Sequence, residues 1–301
     1  LLSSVATGTI ITTASTHWLL AWIGLELNTL AIIPIIAKQH HPRAAEATTK
    51  YFLTQAAASA MVLFASTMNA WSTGTWDIFQ LTNQPSCIVL TMALAMKLGL
   101  APLHFWLPEV LQGTTLKTAL IIATWQKLAP TALLYMTHNS INPEVLLTMA
   151  VLSTLTGGWG GLNQTQTRKI LAFSSIAHLG WMASILTLNP NIMLLNLTLY
   201  VIMTTPMFLI LTFTSSKTIK DMTTTWTISP PITALMLTLL MSMGGLPPLT
   251  GFIPKWLILQ ELTTHGLTAT AIILALSALL SLFFYLRLSY TVTLTTFPIT
   301  T

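Results

Sequence analysis

The sequence predicts an all-α fold, a polytopic transmembrane bundle of about ten spans, and three observations predict it. Of 301 residues, 53% are hydrophobic and only 6% are charged, against about a quarter charged in soluble domains. The apolar stretches are long enough to cross a hydrocarbon core, which takes about 20 helical residues. The charges outside those stretches also sort by side, as membrane topology demands. So little charge leaves room for short aqueous loops and for no separate soluble domain.

In order, spans are expected at about 1–14, 16–37, 49–72, 85–108, 116–137, 144–158, 170–187, 191–213, 230–260 and 267–290. The separators are His40-His41-Pro42-Arg43, Thr82-Asn83-Gln84-Pro85, Asn139-Ser-Ile-Asn-Pro143, Gly157-Gly-Trp-Gly-Gly161 and Asn189-Pro190-Asn191. Gly157-Gly-Trp-Gly-Gly161 lacks the strand, helix and Lys-Ser/Thr context of a phosphate loop, so it reads as a flexible turn. Trp18, Trp22, Trp71, Trp76 and Trp106 fall near span ends and read as interface anchors. The chain opens at Leu1-Leu2-Ser3 without a methionine or a cleavable targeting segment, and it stops at Pro298-Ile-Thr-Thr301. It reads as a fragment trimmed at both ends.

Alternating the spans places Lys38, Arg43, Lys50, Lys117, Arg168, Lys169, Lys217, Lys220 and Arg287 on one side, with Glu46, Glu109 and Asp221. The other side receives Asp77, Glu144 and Glu261 and no Lys or Arg. Such a split is the positive-inside signature, and a miscounted span would scramble it downstream of the error. The net charge of +5 is therefore a topology signal. Without a basic run or an aromatic-basic platform it does not point to nucleic acid. Cys87 is the single cysteine, which excludes a disulfide framework, a thiolate metal site and an iron–sulfur cluster. No facing histidine pair suggests haem. If the protein serves a redox system, the electrons travel elsewhere.

Four charged residues lie deep in long apolar stretches, away from the span ends: Glu26, Lys97, Lys127 and Lys255. A charge near the bilayer centre costs at least a few kcal/mol and marks an ion or proton path. Snorkelling to the headgroups explains one lysine near a helix end, not three deep ones with a carboxylate. Lysine suits a relay because burial can bring its ionisation toward the working pH, whereas arginine stays charged. Two histidines also fall within spans. His178 is a possible relay step, since histidine passes protons near neutral pH; a histidine merely bonded to a neighbouring carbonyl or hydroxyl is the equal alternative. His104 follows Pro102 and reads as serving the helix break, and His17 reads as interfacial.

The fourth and ninth spans carry an internal repeat. Gly99-Leu-Ala-Pro102-Leu103 and Gly245-Leu-Pro-Pro248-Leu249 are followed by Pro108 and Pro254, with a constant offset of 146 residues. Five spans separate the copies, an odd number, so the second copy enters from the opposite face. Two inverted five-helix repeats follow, about 1–137 and about 144–290, within a single membrane domain. Paired prolines break a spanning helix, and broken backbone is tolerated only inside protein or against a watery cavity. Lys97 precedes Pro102 by five residues and Lys255 follows Pro254 directly. A packing kink explains one break; an ionisable group beside both favours an ion path.

Trp22-Ile-Gly-Leu-Glu26-Leu-Asn28, Lys50-Tyr-Phe-Leu-Thr-Gln55, Met96-Lys97-Leu-Gly-Leu-Ala-Pro-Leu-His-Phe-Trp106, Trp125-Gln-Lys127-Leu-Ala-Pro130, Gly160-Gly-Leu-Asn-Gln-Thr165 and Gly244-Gly-Leu-Pro-Pro-Leu-Thr-Gly-Phe-Ile-Pro-Lys-Trp256 resemble the chain 2 family of animal mitochondrial NADH–ubiquinone oxidoreductase, antiporter-like subunits of the membrane arm of respiratory complex I. The likeness runs over essentially the whole chain. It implies a multi-pass protein of the mitochondrial inner membrane with its lysine-rich loops on the matrix side. It implies proton translocation driven by NADH oxidation and ubiquinone reduction in other subunits. Those subunits, not this one, would hold NADH, flavin, iron–sulfur and ubiquinone; no cofactor and no metal would bind here. Glu26 matches the family's carboxylate, Lys97 the lysine paired with it, Lys127 the bridging lysine and Lys255 the lysine of the second broken helix. The expected partners are other membrane-arm subunits and the bilayer, with no nucleic acid and no homo-oligomer. A free-standing cation/proton antiporter shares buried lysines and broken helices, but a Na⁺-selective one would need more buried carboxylates than Glu26. A purely structural spacer would not need the lysines.

Overall fold

The computed structural model describes residues 1–38 and 41–294. Among these residues the chain is helical throughout, with two isolated bridges, His17 to Asp77 and Gln166 to Thr218, and no strand. His40 and the closing Pro298-Ile-Thr-Thr301 lie outside the described residues. Two compact units form, Leu1–Ala150 and Val151–Thr301.

In the first unit α1 (Leu2–Ala14) leads to α2 (Trp18–Ala37) and the long α3 (Pro42–Thr73). The chain continues through α4 (Gln84–Leu98), α5 (Trp106–Gly113), α6 (Leu116–Ala123), a 3-10 turn at Trp125–Lys127 and α7 (Leu128–Met136). A further helix, α8 (Pro143–Leu162), contains the boundary between the units. The second unit holds α9 (Thr167–Ile185), α10 (Pro190–Phe213), single turns α11 (Ile219–Met222) and α12 (Thr225–Ile228), α13 (Pro230–Gly244), α14 (Phe252–Thr264) and α15 (Thr268–Thr293). Five of these, α2, α3, α8, α10 and α15, are long and apolar enough to cross a membrane.

The prolines of the sequence breaks set the helix starts. Pro42, Pro85, Pro143, Pro190 and Pro230 all stand in a first turn, where proline's missing N–H removes no helical bond and its fixed φ favours the helix. His17, His41 and Asn189 precede helices as caps, each accepting from a backbone N–H two residues on. Within the first unit α1 crosses α2 so closely that a Cβ on Gly8 would stand 2.9 Å from the Gly24 carbonyl oxygen. Small residues at a crossing let helix backbones approach, and dispersion then supplies the cohesion that lipid does not.

Three expectations are corrected here. Gly157-Gly-Trp-Gly-Gly161 is not a turn but the body of α8. A Cβ on Gly157 would meet the Ala177 nitrogen at 2.7 Å, and one on Gly160 the Phe173 ring at 2.3 Å, so these glycines seat α8 against α9. The span expected at 116–137 is interrupted: α6 ends at Ala123 and the chain tightens into the 3-10 turn before α7. Pro130 accounts for this, because its ring excludes the carbonyl four residues back and it donates no bond. Trp18 and Trp106 are buried rather than interfacial, and Trp106 Nε1 donates to the Met96 carbonyl at 3.0 Å. Trp71, at 94% exposed, is free to serve as an anchor.

Candidate functional site

Both proline-rich breaks open in the same way. α4 ends on Gly99 with φ +81° and ψ 40°, its N–H returning to the Ala95 and Met96 carbonyls. α13 ends on Gly245 with φ +83° and ψ 42°, its N–H returning to the Met241 and Ser242 carbonyls. Only glycine enters this left-handed region without strain, which is why Gly opens each motif. The chain then runs irregularly over 99–105 and 245–251 before α5 and α14 begin. Pro102 and Pro248 lie within the breaks, and Pro108 and Pro254 are each the third residue of the helix that follows. His104 sits in the first break, buried beside Phe105.

The lysines approach these breaks from opposite directions along the chain. Lys97 lies in the last turn of α4, and Lys255 lies in the first turn of α14 and reaches back to donate to the Gly244 carbonyl at 3.0 Å. The Lys255 ammonium thus sits at the carboxyl end of the first half-helix, and Lys97 is a residue of the corresponding end, where the helix dipole favours a cation. The two are only 5% and 8% exposed. Their surroundings differ: Lys255 has its carbonyl, while Lys97 Nζ has no hydrogen-bond acceptor from the protein.

Glu26, on α2, is held by hydroxyls. Ser59 Oγ on α3 donates to Oε1 at 2.5 Å and Thr29 Oγ1 donates to Oε2 at 2.8 Å. Among the described residues it forms no ion pair with Lys97. The carboxylate still lies near enough for its charge to act on Lys97. Lys127 is 2% exposed and occupies the 3-10 turn, so the bridging position is itself a helix break beside the two proline-rich ones. Beside it Gln126 Nε2 donates to Asn28 Oδ1 at 2.9 Å, tying the turn to α2.

In the second unit His178 sits midway along α9, whose residues are buried on nearly every side. Its ring lies 5.5 Å from that of Tyr200 on α10, and Ser174 and Ser175 are buried one turn earlier. The lysines and Glu26 were legible from charge in an apolar run. Ser59, Thr29 and Asn28 were not, because small polar residues are common in spans and only packing shows which ones meet a carboxylate. Pro130 was the available signal for the break at Lys127.

Outside these segments, exposed charges pair conventionally. Lys50 bridges Glu46 at 2.5 Å and Glu109 at 2.6 Å. Asp221 caps α11 by accepting from the Thr218 and Lys217 backbone N–H groups. Partial burial pushes its carboxyl up, but those bonds outweigh burial and hold it below the usual aspartate value.

The transmembrane family model described as NADH:quinone oxidoreductase/Mrp antiporter matches residues 15–281. The chain belongs to this family. It is 63% identical to NADH-ubiquinone oxidoreductase chain 2 of Xenopus laevis over 297 residues, 99% of this chain and 86% of that one. It is also 63% identical to the chain of the same name from Salmo salar, over 99% of this chain and 85% of the relative. Among solved structures, respiratory complex I from Thermus thermophilus with bound aureothin contains a chain that is 30% identical. That chain superposes with a TM-score of 0.89, over 96% of this one and 69% of its own length. A chain of the Mrp complex from Dietzia matches at a TM-score of 0.83, 95% of this chain and 58% of that one, but at 18% identity. That last likeness is one of fold. Membership makes this a multi-pass membrane protein of the antiporter-like fold and a chain of the NADH–ubiquinone oxidoreductase class.

Proposed function

We propose that this chain is the chain 2 subunit of respiratory complex I in the mitochondrial inner membrane, and that it carries protons through a series of buried groups: Glu26, Lys97, Lys127 and Lys255, with His178 as a relay step. The observation that carries the reading is the pair of matching helix breaks, each with a buried lysine at the carboxyl end of its first half-helix. A lysine there can hold a proton at the helix terminus and release it as an amine, which arginine cannot do. Relatives above 60% identity and bearing the chain 2 name support the assignment to this enzyme rather than to a free-standing antiporter.

In this reading the electron chemistry belongs to other subunits. NADH, flavin, iron–sulfur and ubiquinone sit there, and this chain supplies the proton path and the contacts to its membrane-arm neighbours. The lysine-rich loops face the matrix. The equivalent breaks, each opening on a left-handed glycine and resuming as helix at the same offset, support two inverted repeats of about 1–137 and 144–290. Inversion would let the Lys97 and Lys255 halves open to opposite sides.

The test is Lys97→Ala in the assembled complex, measured in sealed vesicles. NADH-driven proton transport per electron is expected to fall while the complex keeps its size on a native gel. A wild-type proton-to-electron ratio would remove the proposal.

A further inference from the structure

Three polar residues stand one turn apart on a single face of α3: Tyr51, Gln55 and Ser59. All three are buried, at 1%, 4% and 1% exposed. The two ends of this row have known neighbours. The Tyr51 ring packs edge-on against Trp106 at 5.8 Å, and Trp106 in turn bonds the Met96 carbonyl, next to Lys97. Ser59 donates to Glu26. Gln55 is the middle member.

Its height along α4 follows from a fixed point. Asn69 on α3 donates to the Gln80 carbonyl at 2.8 Å and accepts from the Thr82 N–H at 3.4 Å, which pins the registers of the two packed helices. The residues from Asn69 back to Gln55, and those from Thr82 forward to Lys97, each rise about 20 Å. Gln55 therefore stands within about one helical turn of the level of Lys97. Lys97 Nζ, Gln55 Nε2 and the Tyr51 hydroxyl are all buried with no protein hydrogen-bond partner. The two nitrogens are donors only and cannot satisfy each other; the Tyr51 oxygen could accept from either but accepts from neither. A buried donor left unsatisfied costs about 1–3 kcal/mol. A water oxygen placed among them would accept from both nitrogens and could donate to the tyrosine oxygen and to Ser59 Oγ.

We propose that Gln55 is a positioning residue for proton transfer between Lys97 and Glu26, holding with Tyr51 the water through which that proton moves. The inference rests on the proposed function. In the step, the Lys97 ammonium gives a proton to the water oxygen, the water passes one of its own to Ser59 Oγ, and the Ser59 hydroxyl proton goes to Glu26 Oε1. An amine and a carboxylic acid result, and the water and the serine end unchanged. The row also explains why Glu26 and Lys97 need no direct contact.

The test compares Gln55→Met, which keeps length and suits apolar packing, with Gln55→His, which packs less well but keeps an N–H. Both are measured in the assembled complex in sealed vesicles, beside Lys97→Ala. Gln55→Met is expected to slow NADH-driven proton pumping by about two- to tenfold, the weight of one neutral hydrogen bond, and Gln55→His to recover most of it. A purely structural role predicts the reverse order. Wild-type pumping in Gln55→Met, or a loss in Gln55→His as large as in Gln55→Met, overturns the inference. If Gln55→Met does not assemble, Tyr51→Phe decides, since it removes one oxygen: slowed pumping supports the water and wild-type pumping overturns it. Wild-type pumping in Lys97→Ala would instead overturn the proposed function itself.

Discussion

Gly245 and Gly99 offer a matched pair for measuring what the position of Lys255 contributes. Their backbones are nearly superposable, with φ of +83° and +81°, so alanine at either pays the same left-handed strain of about 1–2 kcal/mol. Their neighbours differ. A Cβ at Gly99 would find its nearest atom, the Leu107 Cβ, at a comfortable 3.5 Å. At Gly245 it would stand 2.8 Å from Lys255 Nζ, 3.1 Å from Cδ and 3.2 Å from Cε. The lysine is the flexible partner, so it swings aside and gives up its bond to the Gly244 carbonyl. A hydrogen bond to a charged group is worth about 1.5–3 kcal/mol, which removes Lys255 from its seat by roughly 10- to 100-fold. Gly245→Ala should therefore keep the fold and lose most NADH-driven proton uptake in sealed vesicles, while Gly99→Ala loses little. Equal rates in the two variants would show that the placement of Lys255 is irrelevant to transport.

Other substitutions probe the first unit and the α8 seam. Glu26→Gln should harm transport far more than Glu46→Gln, because Glu26 is held by Ser59 and Thr29 whereas the Glu46 side chain is 61% exposed and pairs at the surface with Lys50; equal losses in vesicle assays would remove the special status of Glu26. Gly157→Ala should destabilise by about 1–3 kcal/mol through overpacking, since its Cβ would press on α9 backbone. Gly244→Ala, with its nearest neighbour at 3.5 Å, should shift the thermal midpoint much less; similar shifts would contradict the packing argument.

Much of this fold is legible in the sequence because prolines do two jobs with distinct spacing. Pro42, Pro85, Pro143, Pro190 and Pro230 follow polar residues and begin helices; Pro102 and Pro248 stand three residues after a glycine within apolar runs and mark breaks. Charge in an apolar run finds Glu26 and the three lysines by the same simple logic. Gly157 to Gly161 misleads because a dense glycine pattern is locally identical in a turn and in a helix pressed against Phe173 and Ala177. Trp18 and Trp106 mislead because position along a span does not say which way a side chain faces. Gln55 closes one of the stretches that carry the resemblance, but nothing local marks its role or that of Ser59. Their significance comes from which helices lie beside them, and only a register set by Asn69 reveals it.

The carbonyl that receives Lys255 changes what kind of partner a buried cation has in the two halves. Near Lys97 the negative group is Glu26, a carboxylate that a proton can erase. At Lys255 it is a peptide oxygen at a helix end, whose partial charge is permanent at any acidity. One half thus holds its cation with a counter-charge that can be switched off, and the other with one that cannot. A carrier assembled from two such halves has a built-in direction. The switchable half can be made to let go by delivering a single proton, while the permanent half must wait for the helix end or the lysine to move.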